Sequence, residues 1–419
     1  MTLLKMIKAS DFQPDAAPRP LDEATLAAAD SIVSGVRDGG REALIEYARK
    51  FDGHVDGQPL LLERDALEAA KARLDADDLA LLERVADRVR MFAQAQLDAL
   101  SELEMDVPGG KAGHSIVPVQ RAGCYAPAGR YALPSTVIMT VVPAVVAGCG
   151  QVVLATPGTS DLMLAAAAVA GADRVLAVGG AQAIAAMAYG FDGFERCDVI
   201  VGPGNRWVTA AKKIVSGDCG IDMLAGPSEL VLVGDESSEP ATVAADLLAQ
   251  AEHDEDARAF LVTTDRDLIQ KVVAELEQQL EVLPTAATAK VALGNGAAVL
   301  CDSVEQVIAT CNALAPEHLE LHCNDSQAVA DKIVNAGCMF IGHQSAEVFG
   351  DYGVGPNHTL PTAGTARFSA GLNVFTFVRV RTWLKLDAAP QSLVDDTARL
   401  AELEGLVGHQ RSALKRQKS

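Results

Sequence analysis

The apolar positions between residues 21 and 104 repeat with the spacing of a helix. Apolar side chains recur every three or four positions in 26–36, 41–51 and 79–100, and this period predicts amphipathic helices. Asp52 and Gly53 close the second of these segments with a turn signal. We therefore predict a mostly helical region at the start of the chain.

From about residue 115 the pattern changes to short runs of β-branched and aliphatic residues that alternate with Ala-rich segments. The predicted strands are 151–156, 174–178 and 198–201, and the helices that follow them are 161–170, 181–189 and 207–216. Glycine or proline turns separate each strand from its helix. A repeated strand–turn–helix unit is typical of a parallel α/β sheet, and we predict one over 105–228.

A second series of the same kind follows residue 229. Its predicted strands are 230–233, 258–262, 298–300 and 338–341, and its predicted helices are 240–251 and 268–283. Beyond about residue 360 the chain is polar and turn-rich, apart from an apolar stretch at 372–384 and a candidate helix at 397–414. The pattern predicts two α/β units. It leaves open whether the helices of 21–104 join the second unit or stand alone.

The composition agrees with several aliphatic cores. The chain has 419 residues and is 49% hydrophobic but only 4% aromatic, and its length suggests about two or three domains. The net charge of -21 and the lack of a basic patch argue against a nucleic-acid-binding protein, because such proteins carry clustered Lys and Arg. We expect a soluble globular protein.

Eight cysteines are scattered singly along the chain, without a CxxC motif. Disulfide frameworks are typical of small secreted domains, so we predict reduced and mostly buried thiols. The N-terminal residues lack a basic region followed by an apolar run, which predicts no signal peptide. The longest apolar stretch, 137–149, is too short to cross a bilayer. These features predict a cytoplasmic location without membrane contact.

Two glycine turns follow predicted strands and open predicted helices. They are Gly179-Gly180 and the GPGN segment at 202–205. Such turns expose backbone N–H groups and the positive end of a helix dipole, which suits an anion such as a pyrophosphate. Neither turn has the GxGxxG pattern, and a glycine after a strand also relieves backbone strain alone. Both interpretations stay open on this pattern.

Two residues near the end of the predicted helix 240–251 form a candidate metal site. Gln250 and His253 are three positions apart, and residues at this spacing share one face of a helix. We expect the helix that carries them to end near Asp254. An imidazole beside an amide oxygen can ligate a divalent metal ion. The structural alternative is a capped helix end, with His253 beside the negative pole of the helix dipole.

Further polar residues could carry chemistry downstream. Glu317 and His318 are adjacent and follow a proline; they could divide general-base work, or they could open a solvated helix. Asp351 and His358 lie seven positions apart in a glycine-rich segment that is either a functional loop or a plain connector. His409, near the end of the last predicted helix, would ordinarily be a surface residue.

Taken in order along the chain, these motifs resemble the histidinol dehydrogenase family. The stretches that carry the resemblance are GCYAPAG at 123–129, PSTV at 134–137, AVGGAQAI at 177–184, VGPGN at 201–205, IDMLAGPSE at 221–229, DLLAQAEH at 246–253, PEHLE at 316–320, and GDY at 350–352 with Asn357 and His358. The resemblance extends from about Asp30 to His409. It implies an α/β fold of two Rossmann-like parallel-sheet domains that lack GxGxxG, with small N- and C-terminal segments.

The resemblance implies a role for each matching position. The implied zinc ligands are Gln250, His253, Asp351 and His409. The implied catalytic pair is Glu317 and His318. The implied nucleotide contacts are Tyr125, Gln182 and Asn205. The implied substrate contacts are Ser228, Gln250, His253, His318, Asp351, His358, Glu404 and His409.

The family's chemistry is a four-electron oxidation of L-histidinol through L-histidinal to L-histidine, with two NAD molecules as hydride acceptors. By resemblance, Zn²⁺ holds the imidazole and amine of the substrate, a small amino alcohol. His318 would then take the hydroxyl proton, and Glu317 would activate water for attack on the aldehyde. A carboxylate at Glu404 suits a cationic amine. Similar ligands also accept cobalt or manganese, so the sequence does not fix the metal.

The resemblance also implies a division of the chain. Residues 1–20 form an N-terminal segment, 21–104 plus 229–367 a first α/β domain with the metal ligands and catalytic pair, 105–228 a second domain on the nucleotide side, and 368–419 a C-terminal segment. In this family the C-terminal segment crosses to the partner of a homodimer. Glu404 and His409 would therefore complete the active site of the other subunit.

Some positions depart from the family's common pattern. The segment 127–129 reads PAG and precedes Arg130, and 373–386 contains Arg379 and Arg381. Extra arginines suit an anionic substrate, so a related enzyme that oxidises another polar alcohol, such as a sulfonated propanediol, is the alternative. Glu404 would repel a sulfonate, and the arginines could equally form surface or interface salt bridges. A non-catalytic binding scaffold is a further alternative, but it would not need the Glu317–His318 pair.

Overall fold

The two predicted α/β units are present as two six-stranded sheets in the computed structural model, which describes residues 3–13, 21–128 and 132–416. The strands are β1 (Met6–Lys8), β2 (Leu61–Glu63), β3 (Leu103–Val107), β4 (Gly110–Pro118), β5 (Arg121–Tyr125), β6 (Gln151–Ala155), β7 (Arg174–Leu176), β8 (Val199–Val201), β9 (Gly220–Ile221), β10 (Glu229–Gly234), β11 (Arg258–Thr263), β12 (Ala297–Leu300), β13 (His318–His322), β14 (Cys338–Ile341) and β15 (Val378–Leu386). Arg130 lies outside the described residues.

Most helices follow the strands that they cover. They are α1 (Glu23–Phe51), α2 (Arg64–Lys71), α3 (Ala76–Asp98), α4 (Pro134–Val146), α5 (Asp161–Ala170), α6 (Gly180–Tyr189), α7 (Arg206–Val215), α8 (Pro240–Ala251), α9 (Arg266–Leu280), α10 (Ala286–Leu293), α11 (Val304–Leu314), α12 (Ser326–Ala330), α13 (Glu347–Asp351), α14 (Gln391–Leu403) and α15 (Val407–Leu414). Two short 3-10 helices lie at Thr365–Arg367 and Val374–Phe377.

The first sheet has the strand order β1-β12-β11-β10-β13-β14, and all of its neighbouring strands are parallel. Its central strands are buried on both faces, because α8, α9 and α10 supply one apolar core and α11 and α12 supply the other. Strands covered on both sides are typical of a parallel α/β sheet. The predicted fold class is confirmed for this unit.

The second sheet has the order β2-β7-β6-β5-β8-β9, in which β2 is antiparallel and the remaining neighbours are parallel. Helices α1, α6 and α7 cover one face, and α2 to α5 cover the other. Short glycine or proline turns connect its strands to its helices, as the sequence predicts. The second unit of the predicted fold class is therefore also confirmed.

The helices of 21–104 pack on the second sheet, which differs from the predicted grouping of 21–104 with 229–367. Val33 and Val36 of α1 and Leu67 of α2 are buried in the cores of the second sheet. An amphipathic pattern shows that a helix face is buried but not which sheet buries it. We therefore group 21–104 with the second sheet.

Two helix predictions differ from the structure in where the helices are divided. The segments 26–36 and 41–51, predicted separately, form one continuous helix, α1, with a non-helical residue between them at Gly40, where φ is 55°. The predicted helix 397–414 is two helices, since α14 ends at Leu403 and α15 begins at Val407. Gly405 between them has φ 73°, a conformation that glycine adopts readily.

A third, antiparallel sheet was not predicted. It has the order β15-β4-β3, and β15 pairs with β4 along its whole length. This pairing attaches the C-terminal segment to the chain just before the second sheet. All eight cysteines are free, and six of them are buried. Within 3–13, 21–128 and 132–416, no helix is both long and apolar enough to span a membrane.

Candidate active site

Polar residues collect at the edge of the first sheet where β10 and β13 begin. The two strands are parallel neighbours, with Leu230 paired to His318. Parallel strands begin at the same edge, so Glu229 at the start of β10 lies beside Glu317 and His318 at the start of β13. The Glu229 N–H donates to Glu317 Oε2 at 2.9 Å. The predicted catalytic pair therefore opens a strand rather than a helix.

The His318 ring has a defined protonation state. Its Nδ1–H donates to the Glu229 carbonyl oxygen at 3.2 Å, because a carbonyl only accepts. The other nitrogen, Nε2, is buried without a hydrogen-bond partner among the described residues, and it lies 3.9 Å from Asp351 Oδ1. Burial lowers the pKa of His318 to about 4, against the opposing effect of Asp351. The ring is a neutral imidazole whose Nε2 can accept a proton.

The Glu317 carboxyl group is buried, with 6% of the residue exposed. Burial raises its pKa well above the ordinary value, and the charges of Glu229 and Asp351 act in the same direction. The hydrogen bond from the Glu229 N–H opposes this rise. The ionised form of a carboxyl group with a raised pKa is a stronger general base than an ordinary carboxylate.

Gln250 and His253 approach the same edge from the end of α8. The helix ends at Ala251, so His253 lies just beyond it rather than within it. Gln250 is fully buried, and its side-chain amide satisfies its neighbours when the nitrogen is assigned to the side of Glu347, where it donates to both carboxylate oxygens at 3.1 Å. The amide oxygen is left on the side of His253. The Nε2 of His253 lies 3.8 Å from Asp351 Oδ2.

Glu347 belongs to this group, although no sequence motif predicted it. It begins α13, and Asp351 ends α13 one helical turn later. The ligand atoms of His253, Glu347 and Asp351 all lie within 4.8 Å of one another. Burial raises the pKa of Glu347 well above its ordinary value, and Asp351 is the next largest cause. The four-residue spacing of Glu347 and Asp351 was a signal for one shared helix face.

The predicted substrate contacts of this chain divide into two groups. The Nδ1–H of His358 donates to the Asp351 carbonyl oxygen at 3.1 Å, and its Nε2 is buried without a partner in the part of the chain that the structure describes. Ser228 lies directly before β10, beside the catalytic pair. Glu404 and His409 are exposed near the C-terminus, and no ion pair or hydrogen bond within the described ranges connects them to this site.

The three predicted nucleotide contacts lie at the carboxyl edge of the second sheet. Tyr125 ends β5, Gln182 lies in the first turn of α6, and Asn205 caps α7. The Tyr125 hydroxyl accepts from the Gly180 N–H at 3.1 Å. The Gln182 amide donates to Asp52 Oδ2 at 3.0 Å. The carboxyl edge of a parallel sheet is where such folds bind ligands, and these side chains fix its glycine turns.

The second glycine turn is held by a buried ion pair that the sequence analysis did not find. Asp222 Oδ2 accepts from the Gly202 N–H at 2.7 Å, and Lys212 Nζ donates to the Gly202 carbonyl at 3.0 Å. Lys212 and Asp222 also pair with each other, with 2% and 1% of their side chains exposed. Gly202 has φ 118°, and a Cβ there would lie 2.1 Å from the Tyr125 carbonyl oxygen. The backbone of this turn is therefore closely constrained.

Hydrogen bonds join the edge of the first sheet to the second unit. The Gly226 N–H donates to Thr362 Oγ1 at 2.5 Å, and the Asn357 amide donates to the Met139 carbonyl at 2.6 Å. The segment 222–228 itself runs from the end of β9 to the start of β10 and carries Ser228. The second unit, which carries the glycine turns, is thus linked to the edge that carries the catalytic pair by these hydrogen bonds and by the segment 222–228.

The sequence model of the histidinol dehydrogenase family matches residues 18–417, which is nearly the whole chain. The chain belongs to the histidinol dehydrogenase family. It is 43% identical over 391 residues to a histidinol dehydrogenase of Pseudomonas savastanoi pv. phaseolicola, covering 91% of this chain and 87% of that one. It is 44% identical over 391 residues to the enzyme of Geobacter sulfurreducens, with 91% and 90% covered.

A solved structure of a family member has the same fold. The crystal structure of histidinol dehydrogenase from Elizabethkingia anophelis superposes with a TM-score of 0.91 at 32% sequence identity, and it covers 99% of this chain and 98% of that chain. The resemblance found in the sequence motifs is therefore confirmed at the level of the family. As a histidinol dehydrogenase family member, the chain is an oxidoreductase.

The residues at the edge of the first sheet are chemically suited to hold a divalent metal ion. His253 offers an imidazole nitrogen, Asp351 a carboxylate and Gln250 an amide oxygen, and Glu347 holds the amide in that orientation. Nitrogen and oxygen ligands of this kind suit Zn²⁺ and its neighbours among divalent metals. His318 Nε2 and His358 Nε2 are buried without a partner among the described residues. Burial lowers the pKa of both rings, and both are close enough to Asp351 and His253 for those charges to shift it as well.

The two arginines that departed from the family pattern lie elsewhere. Arg379 and Arg381 are on β15, where both are exposed. Arg379 donates to the Pro118 carbonyl at 3.4 Å. Within the described residues, neither arginine forms a hydrogen bond or an ion pair with Glu317 or His318. Neither forms one with Gln250, His253 or Asp351. Their position gives no support to an anionic substrate in the site of the same chain.

Proposed function

We propose that this chain is a zinc- and NAD-dependent dehydrogenase that oxidises L-histidinol through L-histidinal to L-histidine. The observation that carries the proposal is the position of Glu317 and His318 beside the group formed by Gln250, His253 and Asp351. A base without metal ligands, or metal ligands without a base, would leave this chemistry incomplete. Membership of the histidinol dehydrogenase family supports the choice of substrate.

Gln250, His253 and Asp351 would hold the zinc ion together with His409 of the partner subunit. When bound, zinc binds and orients the amino alcohol, which is a positioning role. The half-buried His358 and Ser228 lie beside this group and would contact the substrate. Glu404 of the partner subunit would neutralise the substrate's ammonium group.

His318 would act in the first oxidation. Its Nε2 is unprotonated, because Nδ1–H donates to Glu229 and burial lowers the pKa of the ring. It would accept the proton of the substrate's hydroxyl group while a hydride leaves the carbon that bears this hydroxyl and passes to NAD. This step gives the aldehyde, NADH and a proton. A neutral imidazole is the form that can do this.

Glu317 would act in the second oxidation. Burial raises the pKa of its carboxyl group, so its carboxylate is a competent base for a water molecule. The hydroxide equivalent adds to the aldehyde carbon, and a second hydride leaves for a second NAD. The products are the carboxylate, a second NADH and two protons, so both electron pairs are accounted for.

The NAD molecule would bind at the carboxyl edge of the second sheet. The turns at Gly179-Gly180 and 202–205 open α6 and α7, whose N-terminal N–H groups suit a pyrophosphate. Tyr125 and Gln182 support the first turn and Asn205 caps the second helix. Tyr125, Gln182 and Asn205 would therefore either contact the nucleotide or hold the backbone of the turns that contact it.

We further propose a homodimer with shared active sites. Exposed apolar side chains of the C-terminal segment support this, since Val380, Leu384 and Leu403 are 60%, 65% and 67% exposed and a partner subunit would cover them. A partner subunit would also bring Glu404 and His409 to a site. The free cysteines support a cytoplasmic location, where thiols stay reduced.

The test is NADH formation from limiting L-histidinol by zinc-loaded protein. We expect about two NADH per histidinol, loss of the reaction with a strong chelator, and recovery with added zinc. The matched control is the same protein with Glu317→Gln, which retains the metal ligands. Folded, zinc-loaded protein that forms no NADH from L-histidinol would contradict the proposal.

A further inference from the structure

A second group of buried polar residues lies deeper along the same strand and helix. His318, Glu320 and His322 alternate along β13, so their side chains point to the same face of the sheet. Asp246 lies one helical turn before Gln250 on α8. The group formed by Asp246, Glu320 and His322 therefore lies next to the candidate active site, on the side away from the catalytic pair.

The three side chains converge on one point. The Nε2 of His322 lies 3.8 Å from Asp246 Oδ2 and 3.7 Å from Glu320 Oε2. All three atoms lie within 4.8 Å of one another. Two atoms bound to one tetrahedral ion at about 2.1 Å each are about 3.4 Å apart. The observed separations are too long for hydrogen bonds and close to those of a shared ligand sphere.

The converging atoms are buried and have no protein partner. Glu320 is fully buried and His322 is 1% exposed. Asp246 Oδ2, Glu320 Oε2 and His322 Nε2 all lack a hydrogen bond from any group in the described ranges. Buried polar atoms are nearly always satisfied. Three such atoms that face one another therefore indicate a ligand between them.

The charges of the group favour a cation. No Lys or Arg of the described residues pairs with Asp246 or Glu320. Burial raises the pKa of both carboxyl groups, and Asp246 adds to the rise at Glu320. Burial and the neighbouring His343 lower the pKa of His322, so this ring does not supply a positive charge. A divalent ion would neutralise both carboxylates and accept the electron pair of the neutral imidazole.

We propose that Asp246, Glu320 and His322 bind a divalent transition-metal ion, of the class of Zn²⁺ or Mn²⁺, at a site separate from that of His253 and Asp351. The site does not depend on the proposed reaction. It has a structural consequence for the first site, because the Glu347 N–H donates to Glu320 Oε1 at 2.6 Å. An ion that fixes Glu320 also fixes the start of α13, which carries Asp351.

The first experiment measures metal content per subunit in the full-length protein equilibrated with Zn²⁺ or Mn²⁺ and then freed of unbound ion. We expect wild type to hold one metal equivalent more than Glu320→Gln or His322→Ala. His253→Ala should lose the other equivalent and keep this one. His54 lies on the loop after α1, and His54→Ala is the matched control for the loss of an imidazole. This variant should retain both metal equivalents.

A second measurement does not depend on how well the variants fold. Crystals of the wild-type protein soaked in Mn²⁺ should give an anomalous peak between Asp246 and His322, in addition to one beside His253. A peak beside His253 alone would overturn the proposal, as would a wild-type protein whose whole metal content is lost in His253→Ala. In that case the three side chains share protons rather than a metal ion.

Discussion

His318 Nδ1 donates to the main-chain oxygen of Glu229 at 3.2 Å, so the backbone of one strand fixes the protonation state of a side chain on the next. The same residue's N–H holds the Glu317 carboxylate. Both candidate bases are therefore oriented by a single peptide segment. This contact does not depend on any side chain at position 229, and the proposed function gives the two bases distinct chemical roles.

The two roles predict different losses. His318→Gln should lower the rate of L-histidinol oxidation by about 10²–10⁴-fold, because the alcohol step loses its base. Oxidation of supplied L-histidinal should be affected less, since that step relies on Glu317. Glu317→Gln should show the reverse, with about one NADH per histidinol and released aldehyde. Equal losses in both half-reactions for both variants would contradict this division, and metal content serves as the control.

The buried pair behind the second glycine turn predicts a loss of both stability and nucleotide binding. Lys212→Met leaves the Asp222 carboxylate buried and unpaired, and such a loss costs about 3–5 kcal/mol. The free energy of unfolding measured with urea should fall by that amount, and the KM for NAD should rise. Lys213→Met is the matched control on the same helix, because Lys213 is exposed. An unchanged KM for NAD in Lys212→Met would mean that the turn does not bind the nucleotide.

Gly202 offers a steric test of the same turn. Gly202→Ala would place a Cβ 2.1 Å from the Tyr125 carbonyl oxygen, so the strand end or the turn must move. Gly217→Ala is the control, since Gly217 has a similar φ of 109° but no heavy atom of the described residues within 4 Å of its would-be Cβ. The control should cost about 1 kcal/mol. We expect a larger loss and weaker NAD binding in Gly202→Ala, measured by thermal unfolding and fluorescence titration.

Much of the fold follows from the chain's local patterns, and the bounds of α5, α8 and β14 agree with the prediction. These elements are apolar runs closed by glycine, proline or a capping residue, so local sequence defines their ends. The strand β13 was missed. Its alternation of His318, Glu320 and His322 with leucines has the period of a strand, but its polar positions face inward to the site, which hid the pattern.

The candidate site could be predicted only through the ordered motifs. The spacing of Gln250 and His253 indicated one shared site, and the structure brings His253 to Asp351 and Gln250 to Glu347. Glu347 was missed because its partner, Gln250, is distant in sequence. Lys212 was missed because its partner, Asp222, lies across a turn. The packing of α1 to α3 on the second sheet was equally inaccessible, since an apolar helix face does not identify its partner.

Acid should destabilise the metal-free protein through its buried imidazoles. Burial lowers the pKa of His318 from 6.5 to about 4, and burial also lowers the pKa of His358. The unfolded chain then binds protons that the folded imidazoles exclude, so the contribution of these imidazoles to stability is complete above about pH 6.5 and is lost as the pH falls towards 4. His318→Gln should remove about 3 kcal/mol of this pH dependence. Urea unfolding at several pH values measures it, with His54→Gln as the control, and an unchanged slope in His318→Gln would contradict the assignment.

The proposed homodimer with shared active sites predicts that two inactive variants restore each other. His253→Ala and His409→Ala should each lose bound zinc and activity, because each would remove one ligand of the proposed shared site. When the two variants are refolded together, a mixed dimer contains one site with His253 from one subunit and His409 from the other. NADH formation should then reappear, whereas refolding each variant alone gives none. If the mixture stays inactive while mixed dimers are detected, His409 does not act across the interface.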